Sequence, residues 1–498
     1  MPHALVIASN RGPVDFRADP NGIISYHRGE GGLIAVLTPV LAGGEGVWIA
    51  GARTDGDRIV ARRAASTAEP TAVDLPDGVV AVRYLDLDPR AYAAYYGTIG
   101  TETLWFLHHH LPVAGPDPAW EAAWRDYERV NDEFAAACAR AAAPGAAVLL
   151  QDYHLALAPS QLRQRRPDVR TAHFTMCPWA DLAHFQRLPE QAARSLIHGM
   201  LGADLLAFLT PRWARAFLDS CADLGYAIDP ARSEVHLPGR TVSVRVYPVG
   251  VDVSRLRERT AGSPARAEAA RLDEIVAGRT LVARVERMEP AKNAVRGIEA
   301  FGELLRARPE LVDRVVHYVL AYESRSSLPA YREYAADVAA AVTAVNGRYL
   351  TAARPPVVLD ARNNLDRGLA VLARADVLVV NSWRDGMNLV AKEGAAVNTR
   401  DGVLILSRDA GAADELSPYA LTVDPGDVGQ LTRALATALN LPSSRRREWL
   451  HGLREASGAM PPRGWLDAVL ADLAALPGRS GTGGADYAGA SAGSPYGP

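Results

Sequence analysis

Two short segments in the C-terminal half of the chain carry side chains suited to a nucleotide diphosphate. Residues 285–293 place Arg287 and Lys292 five positions apart, in a loop that follows a predicted strand. Two converging cations stabilise the charge of a departing diphosphate. Residues 384–393 predict a turn into a helix whose first N–H groups hold an anion. Glu393 lies about two helical turns beyond Asp385, within reach of ribose hydroxyls.

The N-terminal half offers three further loops, each with a plainer explanation. Arg11 follows the first predicted strand and can clamp an anion, although a single arginine there is more often structural. Gly31 and Gly32 precede a helix-like stretch, where backbone N–H groups can approach a diphosphate. Asp152 lies beside His154 after another strand, so it fits acid–base work or a helix N-cap equally well.

Metal and disulfide chemistry are not indicated by the sequence. Asp86 and Asp88 form a D-x-D pair without a third ligand, and the consecutive residues 108–110 are histidines whose side chains diverge. The three cysteines are far apart and form no C-x-x-C pair, which fits a reducing compartment. We therefore predict no catalytic metal and no cofactor.

Composition narrows the possible partners. The 498 residues carry a formal net charge of −3 without basic runs, which argues against nucleic acid or a membrane surface as a partner. No signal peptide and no apolar run of about 20 residues is visible, so we expect a soluble cytoplasmic protein. Lys292 and Lys392 are the only lysines among 54 basic residues, and arginine codon preference explains most of this skew. We expect the two remaining lysines at positions where the planar guanidinium of arginine cannot replace a compact ammonium group.

Short apolar runs alternate with helical patterns along most of the chain, which predicts parallel sheets wrapped by helices. Strands are predicted at 4–9, 79–85, 147–151, 171–175, 205–209, 242–246, 280–285, 315–321, 357–359, 377–380 and 403–406. Helices intervene between the strands, for example at 119–142, 161–165, 211–224, 294–306 and 329–345, and further helices are predicted near 426–439, 444–456 and 463–476. The pattern pauses near 247–252, which indicates a hinge between two similar α/β domains. Residues 477–498 are rich in Gly, Ser and Ala, and we expect them to be disordered.

Together these motifs resemble the trehalose-6-phosphate synthase family of retaining glycosyltransferases. The most specific match is residues 384–393, supported by residues 9–11, 31–33, 152–155, 247–250, 346–349 and 410–413. The resemblance implies a GT-B fold, in which two Rossmann-like doubly wound domains face each other across a cleft. It places an acceptor-binding domain at 1–248, a nucleotide-sugar-binding domain at 249–455 and a C-terminal helix at 456–476 that packs back on the fold.

The family's functional residues carry over by motif. Arg287, Lys292 and Asp152 would be catalytic, the first two by binding the donor diphosphate and Asp152 by addressing the acceptor sugar. The matching positions for the donor are Gly31, Gly32, Arg287, Lys292, Asp385, Met387, Asn388, Leu389, Val390 and Glu393. Those for a sugar-phosphate acceptor are Arg11, Trp48, Tyr96, Trp105, Asp152 and Arg325. The resemblance further implies retention of configuration without an enzyme nucleophile and a separate phosphatase downstream, while a homo-oligomer stays possible.

Departures from the family pattern leave three functions open. Met176 replaces a histidine that contacts the donor sugar, and a thioether cannot donate a hydrogen bond. Residues 289–293 are similar to those of validoxylamine A 7′-phosphate synthase, a pseudo-glycosyltransferase of this family. The complete donor and acceptor sets predict transfer of glucose from UDP- or GDP-glucose to glucose 6-phosphate, giving α,α-trehalose 6-phosphate. The departures favour an alternative, a transferase of secondary metabolism that uses a modified sugar or cyclitol donor and a sugar- or cyclitol-phosphate acceptor. A non-catalytic sugar-phosphate sensor is a further alternative.

Overall fold

A computed structural model describes residues 2–29, 32–42, 44, 46–67, 69–113, 116–350 and 352–477. Continuous apolar segments form its strands, because a parallel strand is covered by helices on both faces. The strands are β1 His3–Ser9, β2 Val14–Ala18, β3 Ile24–Arg28, β4 Val47–Gly51, β5 Thr71–Leu75, β6 Gly78–Leu85, β7 Ala142–Gln151, β8 Arg170–Thr175, β9 Leu205–Phe208, β10 Ala227–Asp229, β11 Glu234–Leu237, β12 Arg240–Val246, β13 Thr280–Met288, β14 Val315–Glu323, β15 Val357–Asp360, β16 Val377–Val380, β17 Val403–Ser407 and β18 Leu421–Val423.

The strands form two large sheets and one hairpin. The first sheet has the order β10-β11-β12-β9-β8-β7-β1-β4-β6-β5, with antiparallel pairs at both edges and parallel strands between them. The second has the order β15-β14-β13-β16-β17-β18 and is parallel throughout. In both sheets the chain winds outward in one direction and then reverses, the pattern of a doubly wound fold. The β2–β3 hairpin stands apart from both sheets.

Helices cover the faces of the sheets. They are α1 Gly32–Leu41, α2 Asp55–Thr67, α3 Pro89–Ala93, α4 Phe106–His108, α5 Pro118–Ala141, α6 Ala158–Arg165, α7 Leu182–Phe185, α8 Glu190–Met200, α9 Pro211–Asp223, α10 Val253–Thr260, α11 Ser263–Val276, α12 Ala294–Ala307, α13 Pro329–Asn346, α14 Leu365–Arg374, α15 Leu389–Val397, α16 Ala413–Leu416, α17 Val428–Asn440, α18 Ser443–Gly458 and α19 Pro462–Ala475. A π-helix, Ala94–Trp105, joins α3 to α4. Among the described residues, no helix combines the length and apolar character needed to cross a bilayer.

The predicted strands and helices are confirmed, with ends that move by a few residues. The prediction missed the β2–β3 hairpin, β4, the edge strands β5 and β10, β11 beside β10, the short β18, and the π-helix. Short edge strands carry little apolar periodicity, and a π-helix differs from an α-helix only in its hydrogen bonding. The boundary at residue 248 stays a prediction, but the chain does pass from the first sheet to the second between β12 and β13.

The C-terminal helices return to the hinge. Gly250 N donates to Met460 O over 2.6 Å and Val251 N donates to Ser457 O over 2.9 Å. A side chain at Gly250 would collide with this backbone, since an added Cβ would lie 2.5 Å from Ser457 O. Tyr247 donates its hydroxyl to Asp472 on α19 over 2.6 Å. The predicted tail lies outside the described residues from Gly478 onward.

Candidate active site

The site lies where the two sheets reverse their winding. In the first sheet the reversal falls between β1 and β7, and Arg11 and Asp152 follow the carboxyl ends of these strands. In the second it falls between β13 and β16, which are followed by Lys292 and Asp385. Ligands of doubly wound sheets bind in the crevice at such a point. Topology therefore gathers the predicted residues of each half at one crevice.

Lys292 and Asp385 form an ion pair that joins the two loops of the second sheet. Lys292 Nζ lies 2.6 Å from Asp385 Oδ2, which also accepts from Asn388 Nδ2 over 2.8 Å and from Ser382 Oγ over 3.2 Å. Burial opposes ionisation, but Lys292 outweighs it and lowers the pKa of Asp385. The carboxylate is therefore ionised at neutral pH, and it holds the ammonium at the crevice.

Backbone geometry holds the Lys292 loop in place. Asn293 has a left-handed φ of 60°, and its side-chain amide donates to Asn381 O over 3.0 Å and Pro425 O over 2.8 Å. Asparagine tolerates this conformation better than most residues. Two neighbouring loops thereby anchor the residue next to Lys292.

Arg287 and Arg325 share one buried carboxylate. Glu289 Oε1 lies 2.9 Å from Arg287 Nη1 and 3.0 Å from Arg325 Nη1. Arg325 also donates to the hydroxyl groups of Tyr96 over 3.1 Å and Tyr331 over 2.7 Å. Burial lowers the pKa of Arg287, but Glu289 reverses this and raises it. Both guanidinium groups are thus charged and held in fixed orientations.

The π-helix places Tyr96 and Trp105 on the same side. They are nine positions apart, which in an α-helix is two and a half turns and would point them in opposite directions. The wider turn of a π-helix reduces this to about two turns. The Arg325 guanidinium accordingly lies 5.7 Å from the Tyr96 ring centroid and 5.0 Å from that of Trp105. Three of the predicted acceptor residues meet here.

Arg11 joins this group from the first sheet. Burial lowers the pKa of Arg11, and the nearby cations Arg53 and Arg287 lower it further. Its ion pair with Asp15 is loose, at 3.9 Å. Arg11 is thus a cation with other cations nearby and only a distant carboxylate, and a bound phosphate would relieve that repulsion.

Asp152 immediately precedes a short 3₁₀ helix, Tyr153–Leu155, but its side chain makes no capping hydrogen bond to that helix. Its φ is 69°, and its Oδ1 accepts from the backbone N–H groups of Met176 over 3.2 Å and Cys177 over 3.3 Å. Burial raises the pKa of Asp152 to about 6. Beside it, His154 stacks on Tyr96 at 5.8 Å between ring centroids. The carboxylate therefore belongs to the crevice wall next to the acceptor residues.

The segment 385–393 presents mainly backbone groups. Asn388 Oδ1 accepts from Ala391 N over 3.2 Å and caps α15, whose first residues are Leu389 and Val390. The carbonyl of Met387 is occupied, since it accepts from Ala412 N over 2.8 Å. Glu393 has no hydrogen bond or ion pair among the described residues, and burial raises its pKa to about 7.

Two predicted positions differ from the rest. Trp48 lies on β4 with 0% exposure and donates its indole N–H to Ser9 Oγ over 2.7 Å, so it packs in the core instead of forming an open wall. Its assignment to the acceptor site came from the family resemblance, which carries no information on its burial in this chain. Gly31 lies outside the described residues, and Gly32 begins α1.

A cavity of about 540 Å³ is lined by residues from both halves of the chain, among them Arg384, the neighbour of Asp385. Its lining residues are His109, His110, Leu111, Pro112, Asp181, Trp383, Arg384, Asp409, Asp424 and Pro425. His109 stacks on Trp105 with 3.6 Å between the ring centroids. It lies close enough to Asp385 and Lys292 for their charges to affect its pKa, and its Nε2 has no hydrogen-bond partner in the described part of the chain. The sequence analysis did not assign a role to His109, because a histidine triplet gives no sign of direction.

The three histidines diverge as predicted. His108 Nδ1 accepts from Ala180 N over 3.1 Å, whereas His110 stacks on His184 and lies 3.4 Å from Asp181. Ligand atoms of His110, Asp181 and His184 lie within 4.8 Å of one another. The Arg384 guanidinium contacts His110 Nε2, so a fixed positive charge stands where a cation would have to bind. The predicted absence of a metal stays a prediction.

Comparison with known proteins assigns the chain to a family. The family model "Glycosyltransferase family 20" matches residues 3–474. The chain belongs to glycosyltransferase family 20. It is 33% identical over 489 residues to the trehalose-6-phosphate synthase of Mycobacterium tuberculosis (strain H37Rv), with 94% of each chain covered. It is therefore a glycosyltransferase of the trehalose-6-phosphate synthase family.

Solved structures of similar proteins share the fold. The chain superposes with a TM-score of 0.81 on the Escherichia coli protein bound with UDP-2-fluoro glucose, at 25% identity and covering 95% and 100% of the two chains. A structure from Burkholderia xenovorans in complex with glucose-6-phosphate gives a TM-score of 0.78 at 27% identity, with 94% and 99% covered. The expected GT-B fold is confirmed.

Several site residues of this family 20 chain were not selected from the sequence. Glu289, Tyr331 and Arg53 appear only when the loops are brought together. Glu289 was noticed as a departure from the family pattern, and that signal could have marked it as part of the site.

Proposed function

We propose that the chain transfers a glucosyl group from UDP- or GDP-glucose to glucose 6-phosphate, with retention, giving α,α-trehalose 6-phosphate and the nucleoside diphosphate. One observation carries the proposal: cations from both sheets face one crevice as two groups. Arg287 lies near the end of β13 and Lys292 follows it, and Arg11 and Arg325 lie with Tyr96. Two groups suit two phosphorylated substrates. The trehalose-6-phosphate synthase relatives, and the ligands of the structures described above, support this choice.

The chain's part in this reaction is positioning and charge stabilisation. The acceptor hydroxyl attacks the anomeric carbon on the face from which the diphosphate leaves. The bond between that carbon and the diphosphate oxygen breaks, the new glycosidic bond forms, and the leaving phosphate takes the hydroxyl proton. Arg287 and Lys292 stabilise the charge that develops on the diphosphate. Asp152 orients the acceptor sugar, and Glu393 binds the ribose.

A second function is favoured by Met176. Its carbonyl packs against Gly386, where an added Cβ would overlap it, so the segment with Met176 directly faces the loop of Asp385. A thioether there cannot donate a hydrogen bond to a sugar hydroxyl. A donor that lacks or modifies that hydroxyl would be tolerated, which supports a sugar or cyclitol transferase of secondary metabolism as the alternative.

Release of UDP or GDP from each nucleotide-glucose, measured with and without glucose 6-phosphate, tests the proposal. Release that depends on glucose 6-phosphate, together with a trehalose 6-phosphate product, is the expected result. Turnover only with a modified donor or acceptor would support the second function. Tight sugar-phosphate binding without any turnover would instead support a sensor.

A Met176→His variant tests the departure itself. Restoring an imidazole donor should raise turnover with a glucose donor by about tenfold, the value of one hydrogen bond to a substrate. Met176→Leu is the matched control, because it keeps volume without adding a donor. A histidine variant no faster than the leucine variant would contradict this explanation.

A further inference from the structure

Glu289 is a charged group with almost no solvent contact. It is 0% exposed, and its Oε1 interacts with Arg287 and Arg325 at 2.9 and 3.0 Å and accepts from Ser324 Oγ over 3.2 Å. Its Oε2 has no hydrogen-bond partner within the described part of the chain. Burial would raise the pKa of this carboxyl, but Arg287, Arg325 and Lys292 hold it below its usual value. Nearby cations therefore balance the charge of Glu289, and its hydrogen bonds among the described residues are all made by Oε1.

The two arginines that Glu289 joins belong to different proposed sites. Arg287 matches the family motif that is assigned to the donor diphosphate. Arg325 lies with Tyr96 and Trp105 in the acceptor group. One carboxylate thus compensates a cation of each site. A second glutamate with similar burial, Glu268, differs in this respect: it pairs with Arg367 at 3.0 Å between α11 and α14, outside the crevice.

Burying a cation costs desolvation free energy unless an anion lies beside it. An anion that is already in place also weakens the attraction of that cation for a second anion. In the empty crevice, Glu289 supplies the compensating charge. An incoming phosphate contacts guanidinium groups that are already paired with Glu289, so its binding free energy is less favourable than it would be with unpaired cations. After reaction, the same carboxylate weakens the hold on both product phosphates.

We propose that Glu289 is an internal counter-ion, shared by the donor and acceptor sites, that holds Arg287 and Arg325 in the empty crevice and keeps bound phosphates exchangeable. It acts through the two arginines and is a positioning residue. The inference rests on the proposed function for the assignment of the two sites, but its binding test needs no turnover.

The test is binding of inorganic phosphate and of UDP to the full chain, measured by thermal shift and calorimetry, in Glu289→Gln and Glu268→Gln. Both variants lose a buried, arginine-paired charge, so both should melt at lower temperature than the parent. Only Glu289→Gln should bind phosphate and UDP more tightly, by about tenfold, because a like charge near the anion is removed. Unchanged or weaker binding in Glu289→Gln would overturn the inference.

Glu289→Asp tests the charge if the glutamine variant does not fold. It keeps the carboxylate, so phosphate and UDP affinities should stay within about twofold of the parent. A larger change in either direction would contradict a role based on charge. In an active enzyme, Glu289→Gln should lower KM and kcat together, since products leave more slowly. Tighter phosphate binding without any glucosyl transfer would leave the inference standing and remove the proposed function alone.

Discussion

Lys292 and Lys392 are the only lysines of the chain, and both fall in segments that match family motifs. Their surroundings differ. Lys292 lies at the crevice with its Nζ 2.6 Å from Asp385. Lys392 is 1% exposed on α15, where its Nζ donates to Val249 O over 2.8 Å and pairs with Glu415. One ammonium lies at the crevice, and the other links the segment around Val249 to the second half of the chain.

The difference shows that a family signature mixes two kinds of residue. The segment 384–393 contains Asp385, which faces the crevice, and Lys392, which turns away from it on the same run of chain. A compact ammonium suits both places, since it either acts as a point charge or satisfies a carbonyl and a carboxylate at once. Replacing each lysine should therefore affect different properties.

The largest effect is expected from Lys292→Arg. The guanidinium is longer and planar, and its two parallel N–H groups favour bidentate pairing with Asp385 over the diphosphate. We expect kcat to fall by about 100-fold or more, measured as nucleoside diphosphate release at saturating substrates. The melting temperature should change little. Near-normal turnover would show that any cation suffices at this position.

Lys392→Met should chiefly affect stability. The substitution keeps most of the volume but leaves Val249 O and the Glu415 carboxylate without their partner, at a cost of about 2 kcal/mol in the free energy of unfolding. Urea denaturation measures this loss, and kcat should stay within about threefold of the parent. Adding Glu415→Gln should recover part of it, because the two residues form one pair. Loss of turnover without loss of stability would place Lys392 in the active site.

The sequence allowed prediction of those features that depend on the local pattern of apolar and polar residues. The buried parallel strands read as continuous apolar runs, and the loops after β13 and β16 follow from their order in the chain. Glu289 and the same-side placement of Tyr96 and Trp105 could not be predicted, because they depend on contacts between distant segments and on π-helical hydrogen bonding. Lys392 could not be separated from Lys292, since burial is a tertiary property.

Glu393, the neighbour of Lys392, should give the chain a pH-dependent stability. Burial raises its pKa from 4.5 to about 7, so the folded chain keeps this proton to higher pH than the unfolded chain does. The free energy of unfolding should therefore decrease between pH 4.5 and 7, by about 1 kcal/mol after allowing for partial exposure. Asp152 titrates lower, near 6, so the contribution of Glu393 is measured between pH 6 and 7. Glu393→Gln should flatten the profile there, and a profile identical to the parent's would refute the assignment.

The smallest effect is expected from metal removal. We propose that Arg287 and Lys292 supply the positive charge that stabilises the leaving diphosphate, since both lie at the carboxyl end of β13 with fixed partners. Treatment with EDTA should then change the rate of nucleoside diphosphate release by less than about twofold, and added Mg²⁺ should not restore activity to Lys292→Arg. Rescue of that variant by Mg²⁺ would mean that a metal can take the place of the ammonium. In that case the reaction would need only a positive charge after β13, and the shape of the Lys292 ammonium group would matter less than its position.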